Sequence, residues 1–387
     1  MSGSAATLFL CGDVMLGRGV DQILPHPGSP ELREDFVRDA RSYVRLAEAV
    51  NGPVPAPVDP AWPWGAALPW LAERDPDVRI LNLETSVTRG NAFALDKAVH
   101  YRMHPANLPA LAVARPDVCV LANNHVLDFG RPGLEETLVS LRRAGLRTAG
   151  AGRGAEEAYA PAVTPLPSGG RVLVFALGSS SAGIPPSWAA TPGTPGIAYV
   201  PELSAQTAAA VVRHVRRAKR PGDIAVVSVH WGSNWGYRVP REQIRFARLL
   251  VDGGVDLVHG HSSHHPRRLE VYRDRLVLHG CGDFVDDYEG ISGYEEYRDD
   301  LRIAYLVTLA AGGPDAADPG RLTGLRMLPL KARRLRLEPA PRDDRAWLRN
   351  VLVRVSDGVH ITADDSEADG SLVLVRSPAP ARGGTGP

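Results

Sequence analysis

Short apolar runs, rich in β-branched residues and each ended by glycine or polar residues, constrain this fold more than any other feature. They are Thr7-Leu8-Phe9-Leu10, Val78-Arg79-Ile80-Leu81, Val118-Cys119-Val120-Leu121, Val172-Leu173-Val174-Phe175, Ile224-Ala225-Val226-Val227, Val255-Asp256-Leu257-Val258 and Leu276-Val277-Leu278. Such continuity is what strands buried on both faces require. Helical patterns lie between several of them. Gly133 to Ala144 sets Leu134, Leu138 and Leu141 on one face. Ala205 to Lys219 pairs an Ala/Val face with a basic one. Arg241 to Val251 gathers Ile244, Ala247, Leu250 and Val251 on one side. Strand and helix in alternation imply a layered α/β fold.

Three regions break the pattern. Residues 24–70 are rich in proline and tryptophan, with Trp62, Trp64 and Trp70 close together. They read as an insertion that either roofs a cleft or packs its tryptophans on the body. Residues 179–201 read as a long Ser/Gly/Pro loop. Beyond Asp300 a further β-rich stretch includes Ile303-Ala304-Tyr305-Leu306-Val307. The expected organisation is a main domain over 1–300, a β-rich C-terminal extension over 301–376 and a disordered Pro/Gly tail over 377–387.

Composition narrows the class. Lys+Arg and Asp+Glu balance at 44 each, so no bulk charge draws the chain to nucleic acid or an anionic membrane. The three cysteines, Cys11, Cys119 and Cys281, are odd in number and far apart, which fits a reducing compartment. The N-terminus has no basic n-region, and no stretch approaches the roughly 20 apolar residues of a membrane span. The expectation is a cytoplasmic protein.

The chemistry lies where the runs end, since open α/β sheets bind ligands beyond the C-terminal ends of their strands. The first run ends Gly12-Asp13-Val14-Met15-Leu16-Gly17-Arg18, the second Asn82-Leu83-Glu84, and the third Ala122-Asn123-Asn124-His125, with Asp128 and Gly130 following. The Ile224 run ends His230-Trp231-Gly232 and the last run His279-Gly280-Cys281-Gly282-Asp283-Phe284. The Val255 run ends His259-Gly260-His261-Ser262-Ser263-His264-His265, which holds four of the twelve histidines. Such a cluster alone is either a His-rich polar turn or part of a metal site. Mixed carboxylate, amide and imidazole donors suit Mn²⁺, Zn²⁺ or Fe²⁺. A thiolate-rich zinc site would need paired cysteines. This many donors could hold two ions, the arrangement that clamps an in-line displacement.

These motifs, in this order over roughly residues 7–285, resemble those of the CapA family of poly-γ-glutamate capsule synthesis proteins, within the calcineurin-like metallophosphoesterase superfamily. The resemblance implies a four-layer α/β/β/α sandwich with a dinuclear site between two sheets. It implies Asp13, Glu84, Asn124, His230, His261 and His264 as metal ligands. His125 matches the histidine that protonates the leaving group; as an alternative it is another ligand or orients one. Asp128 either fixes the tautomer of His125 or caps the Gly133 helix. Arg18 either binds a substrate carboxylate or phosphate, or makes a structural salt bridge.

The chain also departs from the common patterns. Met15 stands where general metallophosphoesterases have a histidine, and Glu84 where they have a bridging aspartate. Ser262 and Ser263 replace the middle His-Pro of a Gly-His-His-Pro-His motif, and Gly282-Asp283-Phe284 replaces Gly-Asn-Phe. Asp283 is then a compensating ligand or, preferably, the group that holds a ligand histidine. His259 and His265 are not expected to be ligands, and His279 reads as a satisfied core histidine. His26, His100 and His360 read as bland loop or extension residues, His104 as part of a surface turn and His214 as solvated. Cys11 and Cys281 carry no mark of a nucleophile. The expected activity is a metal-dependent hydrolase acting on a phosphoester or γ-glutamyl amide, with an acidic or phosphorylated substrate. The alternative, resting on Met15, is a non-catalytic factor that holds an acidic polymer through its metal.

Overall fold

Every one of these runs contributes to a strand in the computed structural model, which describes residues 5–95, 97–311, 318–364 and 366–375. The tail expected over 377–387 lies outside the described residues. In chain order, β1 (Ala5–Val14) is followed by the short helix α1 (Arg18–Ile23), then α2 (Arg41–Asn51) and α3 (Ala67–Arg74). Next come β2 (Val78–Leu83), β3 (Val118–Val120), α4 (Gly130–Arg143) and β4 (Arg147–Ala149). Strand and helix then alternate through β5 (Arg171–Ser179), α5 (Ala205–Ala218), β6 (Ile224–His230), α6 (Arg241–Asp252) and β7 (Leu257–His261). The strands β8 (Leu269–Tyr272), β9 (Arg275–Leu278), β10 (Asp283–Val285), β11 (Leu301–Ala310) and β12 (Leu322–Ala332) follow. Helix α7 (Arg342–Val355), β13 (His360–Ala363) and β14 (Leu372–Val375) complete the described chain.

The strands form two main sheets. A ten-stranded sheet runs β13-β14-β12-β11-β1-β2-β3-β4, with β10 also paired to β1. The main path of a seven-stranded sheet includes β5-β6-β7-β9-β8. The fold is thus mixed α/β. β1, β2, β3 and β4 are parallel, as are β5, β6, β7 and β9. The two-residue period of a strand then divides the side chains between layers. In β6, Ile224 and Val226 join the core that contains Leu8 and Leu10 of β1. Ala225, Val227 and Val229 point the other way, into a second core with Val211 and Val215 of α5 and Phe246 and Leu250 of α6. Each such Val or Leu, fully buried, contributes about 1.5–3 kcal/mol.

The β-rich stretch beyond residue 300 does not stand apart from this body. β11 pairs antiparallel with β1 from Ala5↔Ala310 to Leu10↔Tyr305, so it continues the first sheet. Leu348 and Leu352 of α7 are buried in the same core as β1. The insertion is fastened by its tryptophans. Trp64 is fully buried and donates to Ala110 O at 2.6 Å, Trp62 donates to Arg334 O at 3.1 Å, and Trp70 to Asp369 Oδ2 at 2.9 Å. Packing on the body is therefore what these rings do, and Tyr43 of α2 is what the insertion lends to the cleft. Residues 179–201 are loop with short 3-10 turns and two-residue strands. Among the described residues no helix is long and apolar enough to cross a membrane.

One glycine fixes how tightly the site's strands approach. A Cβ on Gly12 would lie 1.6 Å from Gly282 O, a backbone atom with nowhere to go. Gly12→Ala is expected to lower stability by about 2 kcal/mol or more, read as a shift in the urea midpoint. An unchanged midpoint would show that β1 and the chain at Gly282 can separate freely.

Candidate metal centre

Parallel strands with matched registers bring the polar strand ends to one place. Asp13 of β1 sits opposite Asn82 of β2 and Asp283 of β10, and His230 of β6 sits opposite His261 of β7. Asp13, His230 and His261, all buried, each offer an atom within 4.8 Å of the others'. His230 Nδ1 and His261 Nδ1 are 2.7 Å apart, and His261 Nδ1 is 3.8 Å from Asp13 Oδ1. Glu84 Oε1 lies 3.7 Å from His230 Nε2 and 3.8 Å from His125 Nε2. Asn82 Nδ2 ties the two acids together, donating to Asp13 Oδ1 at 2.8 Å and Glu84 Oε2 at 3.1 Å. Ser262 N donates to Asp13 Oδ2 at 3.2 Å from a backbone held at φ 99°, a left-handed conformation that favours glycine.

The electrostatics suit a bound cation. Burial, then Asp283, pushes the Asp13 carboxyl up to about 7. Burial and Asp13 push Glu84 well up. Burial pushes His230 and His261 well down, toward the neutral form that ligates metals. Two donor atoms are orphaned: His230 Nε2 and Asn124 Oδ1 are buried without a hydrogen-bond partner. Buried polar atoms are normally paired. Both are atoms of a kind that can ligate a metal, so the set fits a divalent cation, which would also reverse the cost of the clustered carboxylates.

The remaining expected residues fall around this centre. His264 Nδ1 lies 3.0 and 3.1 Å from the two oxygens of Asp283. Burial opposes its protonation, but Asp283 outweighs that and raises the His264 pKa. Asp283 thus stands as the group that orients His264. His125 Nδ1 is 2.6 Å from Asp128 Oδ2, which also accepts from Tyr101 N at 2.6 Å. No side chain caps α4, so Asp128 holds His125 and does not cap that helix. Arg18 corrects the substrate-binding alternative. Its Nε and Nη2 engage Asp287 and its Nη1 engages Glu34 at 3.1 Å, a structural ion-pair cluster under the ring of Tyr43.

The other histidines divide as expected in the main. His259 bridges Cys11 O at 2.8 Å and Ser228 Oγ at 3.0 Å, joining the two sheets behind the site. His279 Nε2 is 3.0 Å from Glu270 Oε2 in the core. His265 is buried against Tyr297, His104 accepts from Ala106 N in its turn, and His214 is exposed. His100 is buried, with Nε2 2.9 Å from Ala94 O, and His360 lies in β13. Burial pushes the Cys11 and Cys281 thiols well up, the opposite of a nucleophile.

A cleft of about 390 Å³ opens over the centre, lined by Glu84, Asn124, His125, His230 and His264. Sequence reasoning missed part of it. Lys97 Nζ contacts Asp128 and Asn124 O and lies 2.9 Å from His125 Nδ1. It comes from an irregular loop with no periodic signal. The aromatic wall of Tyr43, Tyr101, Trp235, Tyr288 and Tyr294 also went unread, because these rings come from a helix and from segments far apart in the chain. Asn82 alone had a signal, two residues before Glu84 on the same strand.

Known proteins place this centre in context. A family model described as bacterial capsule synthesis protein PGA_cap matches residues 7–288. A probable polyglutamine synthesis accessory protein of Mycobacterium tuberculosis is 51% identical over 353 residues, covering 90% of this chain and 91% of that protein. The PGA biosynthesis protein CapA of Bacillus subtilis is 28% identical over 296 residues, 76% of this chain and 66% of that protein. The capsule biosynthesis protein CapA of Bacillus anthracis is 25% identical over 304 residues, 77% and 63% respectively.

The raised Asp13 carboxyl has a measurable consequence. Its folded value, about 7, lies above the ordinary 3.8, so the folded state holds an extra proton between those values. Stability from this group is therefore present at low pH and lost as pH rises from about 4 to about 7. The depressed histidines act in the opposite sense in both proteins, so the difference between wild type and Asp13→Asn reports the carboxyl together with the Glu84 it pushes up. In chelator, Asp13→Asn is expected to gain on wild type in melting temperature as pH rises through this window. A difference that does not change with pH would refute the assignment.

Proposed function

We propose that this chain, which belongs to the PGA_cap family of bacterial capsule synthesis proteins, is a metal-dependent hydrolase serving the synthesis of a glutamyl-type polymer. The carrying observation is the buried convergence of Asp13, His230 and His261, with orphaned donors on His230 and Asn124. On this reading the two sheets and their helices form the four-layer α/β/β/α sandwich of the calcineurin-like metallophosphoesterases. Asp13, Glu84, Asn124, His230, His261 and His264 would hold one or two ions of Mn²⁺, Zn²⁺ or Fe²⁺. Such ions supply Lewis acidity and lower the pKa of water.

The chain's own groups do the rest. Asn82 holds Asp13 and Glu84 at a fixed separation. Asp283 fixes His264. Asp128 takes Nδ1 of His125 and leaves Nε2 on the Glu84 side, where it can pass a proton to a leaving oxygen or nitrogen. Burial and the nearby Lys97 push the His125 pKa well down, so a proton placed on Nε2 is readily given up. The bond broken is a phosphoester or a glutamyl amide.

A second reading, a metal-dependent binding and assembly factor without turnover, is favoured by Met15. Its thioether is buried and accepts from Tyr288 Oη at 3.6 Å, so the position that could have carried a ligand histidine is committed to packing. Both readings are decided by metal analysis of the purified protein and by assays of phosphoester and γ-glutamyl substrates with added Mn²⁺. Bound metal and turnover are expected, each falling at least about tenfold in Asn124→Ala and His261→Ala. Metal and tight oligomer binding without turnover would support the assembly factor. A chain that binds no divalent ion would sink both.

A further inference from the structure

We infer that the outer half of the cleft is a subsite for an uncharged carboxamide group and discriminates against the carboxylate of an acidic polymer. The inference rests on the reading that the cleft takes a glutamyl-type chain, and it departs from the acidic substrate that the sequence leads one to expect.

The wall is an unbroken run of ring contacts between the two candidate working histidines. Tyr101 packs edge-on to His125 at 4.1 Å between ring centres, and its hydroxyl meets that of Tyr288. Tyr288 packs on His264 at 5.1 Å, His264 lies 5.1 Å from Trp235, and Trp235 stacks flat on Tyr294 at 3.9 Å. Planar amides suit such faces, because they offer π-surface and no charge to desolvate.

The charges around the wall point the same way. Among the described residues, the lysine and arginine that line the cleft are Lys97 and Arg18. Lys97 is spent on Asp128, and Arg18 on Asp287 and Glu34. The unspent charge is negative. Asp299 lines both this cleft and an adjoining cavity of about 460 Å³. Among the described residues its carboxylate makes no ion pair; Arg302, whose charge it feels, is engaged by Asp286. In this outer half, away from the proposed ions, a ligand carboxylate would meet rings and a second carboxylate, while Lys97, Arg18 and His264 are already paired with acids. A carboxamide brings two N–H donors, which Asp299 can accept, and a carbonyl, which the Asn234 side chain at the cleft mouth can meet. Because Asp299, Tyr288 and Ile291 border both spaces, the next unit of a chain can continue into the second cavity.

The test compares binding of two probes to the full-length chain by calorimetry in Mn²⁺: a γ-linked glutamate tetramer, and the same tetramer with every free carboxylate amidated. The amidated tetramer should bind wild type at least about tenfold more tightly. Asp299→Asn should bring the ratio toward one, and Asp299→Lys should reverse it. Tyr294→Ala should weaken the amidated tetramer more than the acidic one. These positions are half-exposed or exposed, and melting curves confirm that the variants fold. Equal or tighter binding of the acidic tetramer to wild type overturns the inference. So does binding of neither probe, or a ratio that Asp299→Lys leaves unchanged. Turnover is scored separately in the same samples. Its absence alongside the expected ratio would count against the hydrolase and not against the subsite.

Discussion

Two carboxylates, Asp13 and Glu84, are buried side by side where the sheets meet, and much of the molecule is arranged around that fact. Left alone, such a pair is costly, since each charge is desolvated and repels the other. The chain offsets part of the cost with Asn82, which donates to both, and with Ser262 N. What remains is visible in the raised carboxyls and in the unpartnered atoms of His230 and Asn124. Acids, neutral imidazoles and unpartnered ligand-type atoms kept together, where aliphatic packing would be more stable, are the cost that the proposed cation site would offset.

The fold holds these groups because its parallel strands share a direction. β1 and β2 deliver the acids from one sheet, while β6 and β7 deliver the imidazoles from the other. His259 ties the sheets directly through Cys11 O, just behind the centre. Gly12 lets the backbone at Gly282 come close, which sets Asp283 beside Asp13. The long antiparallel pairing of β11 on β1 stiffens the strand that carries Asp13. The C-terminal stretch is therefore part of what positions the site, although it supplies no candidate ligand.

Much of this was legible in the chain. Strands covered on both faces must be continuous apolar runs, so β1, β2, β3, β5, β6, β7 and β9 announce themselves. A polar residue at the end of such a run has few reasons to be there, which is why Asp13, Glu84, His230 and His261 could be named in advance. His259 and His261 flank one glycine, and within the sequence only the family resemblance tells them apart. The pleat then points both to the same face of β7, where both meet Ser228 Oγ, and only their place along the strand separates them: His259 reaches Cys11 O, while His261, at the strand's C-terminal end, reaches the acids. Arg18 is a similar case. A basic residue after a metal-site motif suggests a substrate clamp, yet Asp287 and Glu34, distant in sequence, consume its donors.

By itself, then, the sequence determined the strand and helix pattern, the strand-end donors and the family, because these depend on local periodicity and on short motifs. The tertiary structure alone decided the partners: Lys97 on Asp128, Asp283 on His264, the C-terminal strands on β1, and the aromatic wall with Asp299 at its edge. Each joins residues that no period or motif links. Loop side chains acquire their neighbours only when the sheets they hang from have packed, and the character of the outer cleft is set at that stage.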